Sequence, residues 1–519
     1  MMLKTESYKK GILLSTGLNF FAKGIAFLNI IAITHFFGTQ TSTDIYFFVI
    51  SVVLIISTTI NGIDLLVIIP EAMKLRNRTD EKSSRLFLNF FFWLYLFLGA
   101  FLCLIILVSP TLFFNIFSKF GIEKLNQHKE LLYAGSVIVL FQFVNSYLTS
   151  VLTSYKYFSI AIFTSLLNSI LCILLTVSLH KSLGINGTMI GLAAGYTLNF
   201  SLLVIILKRK MHWRFSEVTW MKNKIVWQNI ALMQVNILPL WIRNYIGLYL
   251  LSGLPGVVTS LNLGQQLSSV PEILLTSQLL TVAGIKFNEL HGTEKFKDAN
   301  EVYLKTVFFG ISITLSIAAF FILFSKSIVT LGFLNSITNE KSLLEVTLVF
   351  SILAISIPAK LIAGISTSML TSFQKIRSTI TISAIVHIAV TVLMILLIKQ
   401  LGLLGYLIGV NVHYFLFLFI FYPLFKRTLD FVNYKAVLVH FAKTLLLNGI
   451  CVAIMFFLLM NTINSVSSLI VRLVIGNISY FALFFLINNF LKLNRQISLK
   501  IIFNYANNAI FQKKPAKGN

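Results

Sequence analysis

Long apolar runs recur along almost the whole chain, and they constrain its fold more than any other feature. An α-helix needs roughly 20 apolar residues to cross the hydrocarbon layer of a membrane, which is about 30 Å thick. Charged residues make up only 11% of the 519 residues, whereas soluble domains carry roughly 25%. The sequence therefore predicts an all-α polytopic membrane protein.

Fourteen of these runs are long enough to be transmembrane helices. The first run is too long for the apolar part of a signal peptide and lacks a small-residue cleavage site, so we expect it to remain as a span. The second, eighth and tenth runs are interrupted by polar residues. The predicted spans are 11–37, 43–69, 86–110, 131–154, 158–179, 184–207, 226–250, 260–285, 304–331, 343–372, 377–398, 402–425, 436–460 and 469–491.

Basic residues gather in the loops that follow even-numbered spans, for example at 74–85, 208–224 and 492–517. Short loops rich in Lys and Arg stay on the cytoplasmic side of a membrane, so we expect both chain ends to be cytoplasmic. The formal net charge of +25 then reflects topology and attraction to anionic lipid. We expect no nucleic-acid partner, because no nucleic-acid-binding motif is present.

One phrase occurs twice, as TSVLTSY at 149–155 and TSMLTSF at 367–373, with an offset of 218 residues. The same offset places LGINGTMIG (183–191) on LGLLGYLIG (401–409). Because the two phrases close spans four and ten, they point the same way through the membrane. The pattern predicts a parallel tandem repeat, which is typical of alternating-access transporters. The predicted parts are an N-lobe (1–210), a C-lobe (211–428), a C-terminal helix pair (429–492) and a basic cytoplasmic tail (493–519).

The segment FFAKGIAFLNIIAITHFFGTQTSTDIYFF (20–48) resembles the first-helix signature of the lipid II flippases of the MurJ/MviN type. In that family a basic residue in the first helix is followed by Phe-Gly, a short loop, and Thr-Asp-aromatic opening the second helix. The predicted architecture is similar to that branch of the multidrug/oligosaccharidyl-lipid/polysaccharide exporter superfamily. The resemblance implies translocation of an undecaprenyl-diphosphate-linked sugar across the bacterial cytoplasmic membrane, without covalent chemistry or a cofactor.

The chain departs from the family pattern at several cationic positions. Lys23 matches the first arginine of the first helix, but Asn29 stands at the second, and the arginine pair of the second helix falls near Ser57–Thr59. The Asp-Arg pair that the family has before Pro271 is replaced by Gln265 and Gln266. With fewer cations, a capsule or O-antigen unit is as good a candidate cargo as lipid II.

Three cations lie inside predicted spans: Lys23, Arg243 and Lys360. Charged residues at such depth are costly and usually face a wet cavity with a function. A diphosphate accepts several charge-assisted hydrogen bonds from such groups. We therefore predict these residues, with Asn29 and Gln266, as the substrate-binding set.

Three acidic residues are candidates for ion coupling or for balancing a cation: Asp44, Asp64 and Glu272. Asp44 follows Thr41–Thr43 at the start of span two, as a helix cap would. Glu272, beside Pro271, is placed to be the counter-ion of a lysine or a proton carrier. Carboxylates inside the lobes are also what a cation-coupled multidrug antiporter of the MATE type needs, so that function stays as the alternative. Protons, sodium or the membrane potential are all open as driving force.

Other functional classes lack their sequence features. The three cysteines lie inside apolar runs without a metal-ligand pattern, and no Walker motif or catalytic triad pattern is present. A membrane-embedded acyl- or glycosyltransferase needs an acidic or histidine pair near one membrane face, and a glycan polymerase needs a large outer loop. The sequence therefore favours a monomeric transporter and not an enzyme.

The charge pattern generates a prediction about topology. Single cysteines introduced as Arg78→Cys and Pro255→Cys should react with membrane-impermeant maleimides from opposite faces, Arg78 from the cytoplasm and Pro255 from outside. The reason is that the loops 71–85 and 251–259 follow spans of opposite direction. Comparison of intact cells with inverted vesicles measures this, and labelling of both sites from one face would contradict the predicted orientation.

Overall fold

The computed structural model describes residues 8–220, 223–334, 336, 337, 339–459, 463 and 468–491. Lys222 and the predicted tail 493–519 lie outside these residues. The described chain consists of α-helices and three π-helical segments, without a β-strand. The α-helices are α1 (Tyr8–Phe37), α2 (Thr41–Ile63), α3 (Ile69–Arg78), α4 (Glu81–Val108), α5 (Pro110–Phe117), α6 (Ile122–Gln127), α7 (Lys129–Ser154), α8 (Phe158–Leu183), α9 (Ile185–Met211), α10 (Lys224–Leu251), α11 (Val257–Ser268), α12 (Ser277–Gly292), α13 (Phe296–Leu323), α14 (Ser325–Gly332), α15 (Glu340–Ile355), α16 (Ile357–Ser372), α17 (Ile376–Leu401), α18 (Leu403–Thr428), α19 (Tyr434–Ile454) and α20 (Leu469–Leu491).

Eleven helices in the described part of the chain are long and apolar enough to cross a membrane, or twelve if the bent pair α15–α16 is one span. They correspond to every predicted span except the second and the eighth. Those two contain the π-helical segments Asp64–Ile68 and Glu272–Thr276, which divide them into shorter α-helices. The all-α polytopic fold is confirmed, whereas the number fourteen stays a prediction.

The tenth predicted span is bent by 41° between α15 and α16. Pro358 is the second residue of α16. Proline has no backbone N–H, and its ring collides with the carbonyl group four residues earlier, which here belongs to Ala354. One residue therefore accounts for the bend, which also puts Lys360 in the first turn of α16.

The repeated phrase has the same backbone conformation in both copies. Each copy ends its helix with a residue of positive φ, +64° at Lys156 and +59° at Gln374. The N–H groups of these residues donate to Thr153 and Thr371, at 2.9 and 3.0 Å. The glycines of the second repeated motif also match, with φ of +56° at Gly184 and +57° at Gly402.

The repeat extends to a ring contact that the sequence did not reveal. The ring of Tyr155 lies 5.6 Å from that of Trp213, and the ring of Phe373 lies 5.3 Å from that of Phe431. Trp213 and Phe431 are again 218 residues apart, and they follow α9 and α18. In each half, the aromatic residue after the sixth predicted span therefore packs on the residue that closes the phrase.

The chain divides into two compact units. Unit 1 comprises Met1–Leu263, Ser336–Ser342 and His387–Tyr406, and unit 2 comprises Gly264–Asn335, Leu343–Val386 and Leu407–Asn519. Helix α10, which opens the predicted C-lobe, belongs to unit 1, where it packs against α2. The predicted lobes 1–210 and 211–428 stay a prediction.

The loop after α9 is fastened to α4 inside unit 1. The side chain of Asn89, only 1% exposed, donates to the carbonyl groups of Arg214 and Glu217 at 2.7 Å each. It also accepts from the indole Nε1 of Trp213 at 2.7 Å. The indole of Trp93 donates to the carbonyl of Phe215 at 2.8 Å. We call these contacts of residues 213–217 the loop clamp.

Asn89→Ala should open the loop clamp while leaving α4 intact. The substitution removes three hydrogen bonds worth about 1 kcal/mol each, so the loop should be open at least about ten times more often. Limited trypsin digestion measures this as faster cleavage after Arg214, because cleavage follows the open population. Asn126→Ala, at an exposed position of α6, is the matched control. An unchanged cleavage rate in Asn89→Ala would show that the contacts do not hold the loop.

Candidate functional site

Two acidic residues occupy the same kind of position in the two units. Asp64 begins the π-helical segment Asp64–Ile68 in unit 1, and Glu272 begins Glu272–Thr276 in unit 2. The two segments interrupt predicted spans two and eight, which are equivalent in the repeat. Short π-helical turns are rare, and they occur frequently at functional sites. Their common position marks both carboxyl groups as candidate site residues.

Glu272 has a cation as its partner. The ammonium nitrogen of Lys360 lies 3.2 Å from Oε2 of Glu272, with side-chain exposures of 22% and 43%. The same nitrogen lies 5.1 Å from the ring centroid of Tyr414, where the ring attracts a cation. The structure therefore joins two residues that the sequence placed in separate predicted groups, one for substrate binding and one for ion coupling.

Asp64 has hydroxyl groups as its partners. Its carboxyl group is fully buried, and Oδ1 accepts a hydrogen bond from the hydroxyl of Tyr95 at 2.9 Å. The hydroxyl of Ser150 lies beside the same group. Oδ2 is buried without a hydrogen-bond partner. One oxygen of the group is thus held, and the other has unused capacity.

Arg243 is the buried cation of α10. It is 5% exposed, and its Nε and Nη2 donate to Oδ1 of the neighbouring Asn244 at 3.3 and 3.1 Å. Nη1 is buried without a hydrogen-bond partner. Among the described residues it forms no ion pair with a carboxylate, and the imidazole of His387 lies within its electrostatic range. A buried guanidinium with an unused donor can bind an anion.

The remaining predicted substrate residues lie apart from these groups. Lys23 is an exposed residue of α1. Asn29, on the same helix, is buried, and its Nδ2 lies 3.4 Å from Sγ of Cys172, while its Oδ1 has no hydrogen-bond partner. Gln266 is half-buried on α11 in unit 2. Of the eight predicted site residues, Lys360 and Glu272 form the ion pair that the described part of the chain records.

Asp44 is fully engaged in a structural role. Its carboxylate accepts from the N–H of Gly256 at 2.5 Å, and from the N–H and hydroxyl of Thr259 at 2.8 and 2.7 Å. These donors lie at the first turn of α11, whose N-terminal end favours a negative charge. Asp44 is thus a cap as the sequence suggested, but it caps α11 and not its own helix.

Unit 1 also contains an apolar cavity of about 400 Å³. It is lined by side chains of α2, α4, α5, α7 and α10, among them Tyr95, Trp241 and Tyr245. The indole nitrogen of Trp241 is buried without a hydrogen-bond partner, and the hydroxyl of Tyr245 donates to the carbonyl of Phe117 at 3.0 Å. The cavity lies next to Asp64, because Tyr95 both lines it and holds the carboxyl group.

Two functional candidates were not recognised in the sequence. Tyr95 lies in the run FFFWLYLFLG, where its hydroxyl is the one polar group apart from the indole of Trp93. Asn89 opens the same apolar stretch, and a lone amide there is a signal that a buried partner exists. Both residues belong to predicted span three, which the search for charged residues passed over.

Comparison with known proteins decides the family. The family model described as lipid II flippase MurJ matches residues 33–475. The chain belongs to the MurJ family. A comparison with curated proteins finds no match.

Solved structures agree with this assignment at the level of fold. Lipid II flippase MurJ in an inward closed conformation has a TM-score of 0.72 and 17% identity, over 92% of this chain and 99% of that chain. An outward-facing MATE-family multidrug transporter has 0.57 and 14%, over 83% and 96%. An inward-facing MATE transporter has 0.56 and 16%, over 84% and 95%. The MurJ fold is therefore the better match, with the MATE fold a more distant relative.

Asp44→Asn should destabilise this MurJ-family chain. An amide retains one acceptor, but its NH₂ group opposes a backbone N–H at the start of α11, so a charge-assisted bond becomes a repulsion. We expect a loss of about 2–4 kcal/mol, seen as a lower thermal unfolding temperature in detergent. The exposed carboxyl of Asp430 supplies the control, Asp430→Asn. If Asp44→Asn abolished transport at unchanged thermal stability, Asp44 would belong to the coupling machinery.

Proposed function

We propose that the chain is a flippase that moves an undecaprenyl-diphosphate-linked sugar across the bacterial cytoplasmic membrane by alternating access. The family match over residues 33–475 carries this proposal. The cargo is lipid II or a capsule or O-antigen unit built on the same lipid diphosphate. The protein acts as a monomer with no covalent step, driven by protons, sodium or the membrane potential.

The diphosphate is the part of the cargo that the buried charges can recognise. Arg243 presents an unused N–H group in an environment without a neutralising carboxylate. A guanidinium group offers a planar fork of donors that matches phosphate oxygens. Such a bond is stronger in a low dielectric than in bulk water. Arg243 is therefore the residue of unit 1 that we assign to the headgroup, with Lys23 and Asn29 as further polar groups on α1.

In unit 2 we assign Lys360 to the headgroup, with Gln266 as a polar neighbour in the chain's other broken span. Lys360 is already paired with Glu272 at 3.2 Å. A phosphate that approaches the ammonium group must compete with this carboxylate. Substrate binding would then release Glu272, and a conformational change can follow, because a ligand shifts an equilibrium through contacts that differ between states.

The alternative is a cation-coupled multidrug antiporter of the MATE type. The carboxyl groups of Asp64 and Glu272 and the likeness to two MATE structures favour it. Such a protein would bind cationic drugs, and removal of Arg243 would then not weaken cargo binding. The two functions therefore predict opposite results for one substitution.

Neutralising the two cations of unit 1 tests the flippase. Arg243→Met removes the charge and fills a similar volume, so it should weaken binding of a fluorescent lipid-diphosphate sugar at least tenfold. Arg243→Lys should give an intermediate loss, because a point charge replaces the fork. At Lys23, flipping in proteoliposomes should fall in the order Lys, Arg, Ala, Glu at equal protein abundance.

Thermal unfolding distinguishes a binding role of Arg243 from a structural one. Removal of an uncompensated buried charge should leave the unfolding temperature unchanged or higher. Lys326→Ala, at an exposed position of α14, is the control for both assays. Lower stability with unchanged lipid-diphosphate binding would show that Arg243 holds the fold and not the cargo.

A further inference from the structure

The carboxyl group of Asp64 lies in unit 1 without a charge to balance it. It is fully buried, and its Oδ2 has no hydrogen-bond partner. An isolated carboxylate in an apolar interior costs far more free energy than its neutral form. The group must therefore be compensated by something that binds to it.

No basic residue on the surrounding elements is placed to do this. Arg76 of α3 is bound to the carbonyl of Ser154, at 3.3 Å, and lies over the ring of Tyr155 at 3.7 Å. Arg243 of α10 is hydrogen-bonded to Asn244. The groups that face Asp64 electrostatically are the phenols of Tyr95 and Tyr147. The other charged or titratable residues on these elements are Asp44 and Tyr46 on α2, Glu71, Lys74 and Arg78 on α3, Glu81, Lys82, Arg85 and Cys103 on α4, Lys129, Glu130 and Tyr133 on α7, and Lys224, Tyr245 and Tyr249 on α10.

The equivalent position of unit 2 shows what a fixed compensation looks like. Glu272 also begins a π-helical segment, and there the ammonium group of Lys360 lies 3.2 Å away. Unit 1 has the same kind of acid at the same kind of turn, but hydroxyl groups stand where the lysine would be. The acid of unit 2 is balanced by a residue, and that of unit 1 needs a mobile partner.

We propose that Asp64 is a proton-binding site, with Oδ2 as the oxygen that takes up and releases the proton. Two opposing effects make the site reversible. Burial favours the neutral acid, whereas the hydroxyl donors of Tyr95 and Ser150 stabilise the carboxylate. The step is a simple protonation: water supplies the proton, Oδ2 binds it, and no electron or other group is transferred.

Tyr95 links this site to the rest of unit 1. Its hydroxyl holds Oδ1 at 2.9 Å, while its ring lines the apolar cavity of about 400 Å³. A change in the position of Tyr95 therefore alters both the cavity wall and the donor that stabilises the carboxylate. Proton binding at Asp64 thus supplies the driving ion of the proposed flippase, and this role rests on the proposed function.

Infrared spectroscopy tests the site without any cargo. In purified protein in lipid nanodiscs, the C=O stretching band of a protonated buried carboxyl group should appear as pH falls and vanish as pH rises. The band should be absent in Asp64→Asn and present in Asp298→Asn, which removes an exposed carboxyl group. Tyr95→Phe should move the titration midpoint upward by about one pH unit, because it removes a donor to the carboxylate.

A band that does not change with pH, or one that persists unchanged in Asp64→Asn, would overturn the proposal. Tyr95→Phe retains the acid, so it keeps the test meaningful if Asp64→Asn does not fold. Because no substrate is involved, failure of the proposed flippase in a transport assay leaves this result standing.

Transport under an imposed pH gradient tests the coupling. Wild-type protein in proteoliposomes should flip a lipid-diphosphate sugar several-fold faster with the gradient than without it. Asp64→Asn should lose this dependence but still bind the cargo, and Asp64→Glu should retain part of it. A full gradient response in Asp64→Asn would show that the driving proton binds elsewhere.

Discussion

The structure depends on the rule that a chain inside an apolar medium must satisfy its own polar groups. Hydroxyl groups within the helices obey this rule by donating to the carbonyl group four residues earlier, as Thr34, Thr176 and Thr314 do at 2.7–2.9 Å. Others connect helices, for example Tyr147, which donates to the carbonyl of Leu88 at 2.6 Å. Since such pairing is the norm, the few groups that lack a partner are informative.

Three buried or half-buried acids show three ways of compensating a negative charge. Asp44 is surrounded by backbone and hydroxyl donors at the end of a helix, which makes it a permanent part of the fold. Glu272 is balanced by Lys360, a partner that an anionic ligand can displace. Asp64 has only hydroxyl neighbours, so its charge can change. The order from Asp44 to Asp64 is therefore one of increasing freedom to respond to a ligand or an ion.

The sequence predicted what depends on local pattern. The lengths of the apolar runs predicted most of the spans, and the phrases at 149–155 and 367–373 predicted matching helix ends, down to the residues with positive φ. The hypothesis that Glu272 is the counter-ion of a lysine is also confirmed, because only one cation lies in the predicted spans of that region.

The sequence could not predict contacts that depend on the path of the chain. The partner of Asp44 is more than 200 residues away, and a carboxyl group after Thr-Ser-Thr has the same appearance whether it caps its own helix or another one. The π-helical segments have no sequence signature, since one extra residue per turn costs little where neighbouring helices support it. The interruption of spans two and eight was therefore visible only as polar content.

The loop clamp sets a leash on the rest of the chain. Glu217 is fixed to α4 through Asn89, and α10 begins at Lys224. Seven residue steps separate these two points, and a fully extended chain covers at most about 25 Å over that length. Helix α10, with Arg243 near its far end, can thus be relocated only within that radius during a working cycle. A larger excursion would first have to pull the amide of Asn89 away from its carbonyl partners, so the connection between the two repeats sets the longest possible stroke.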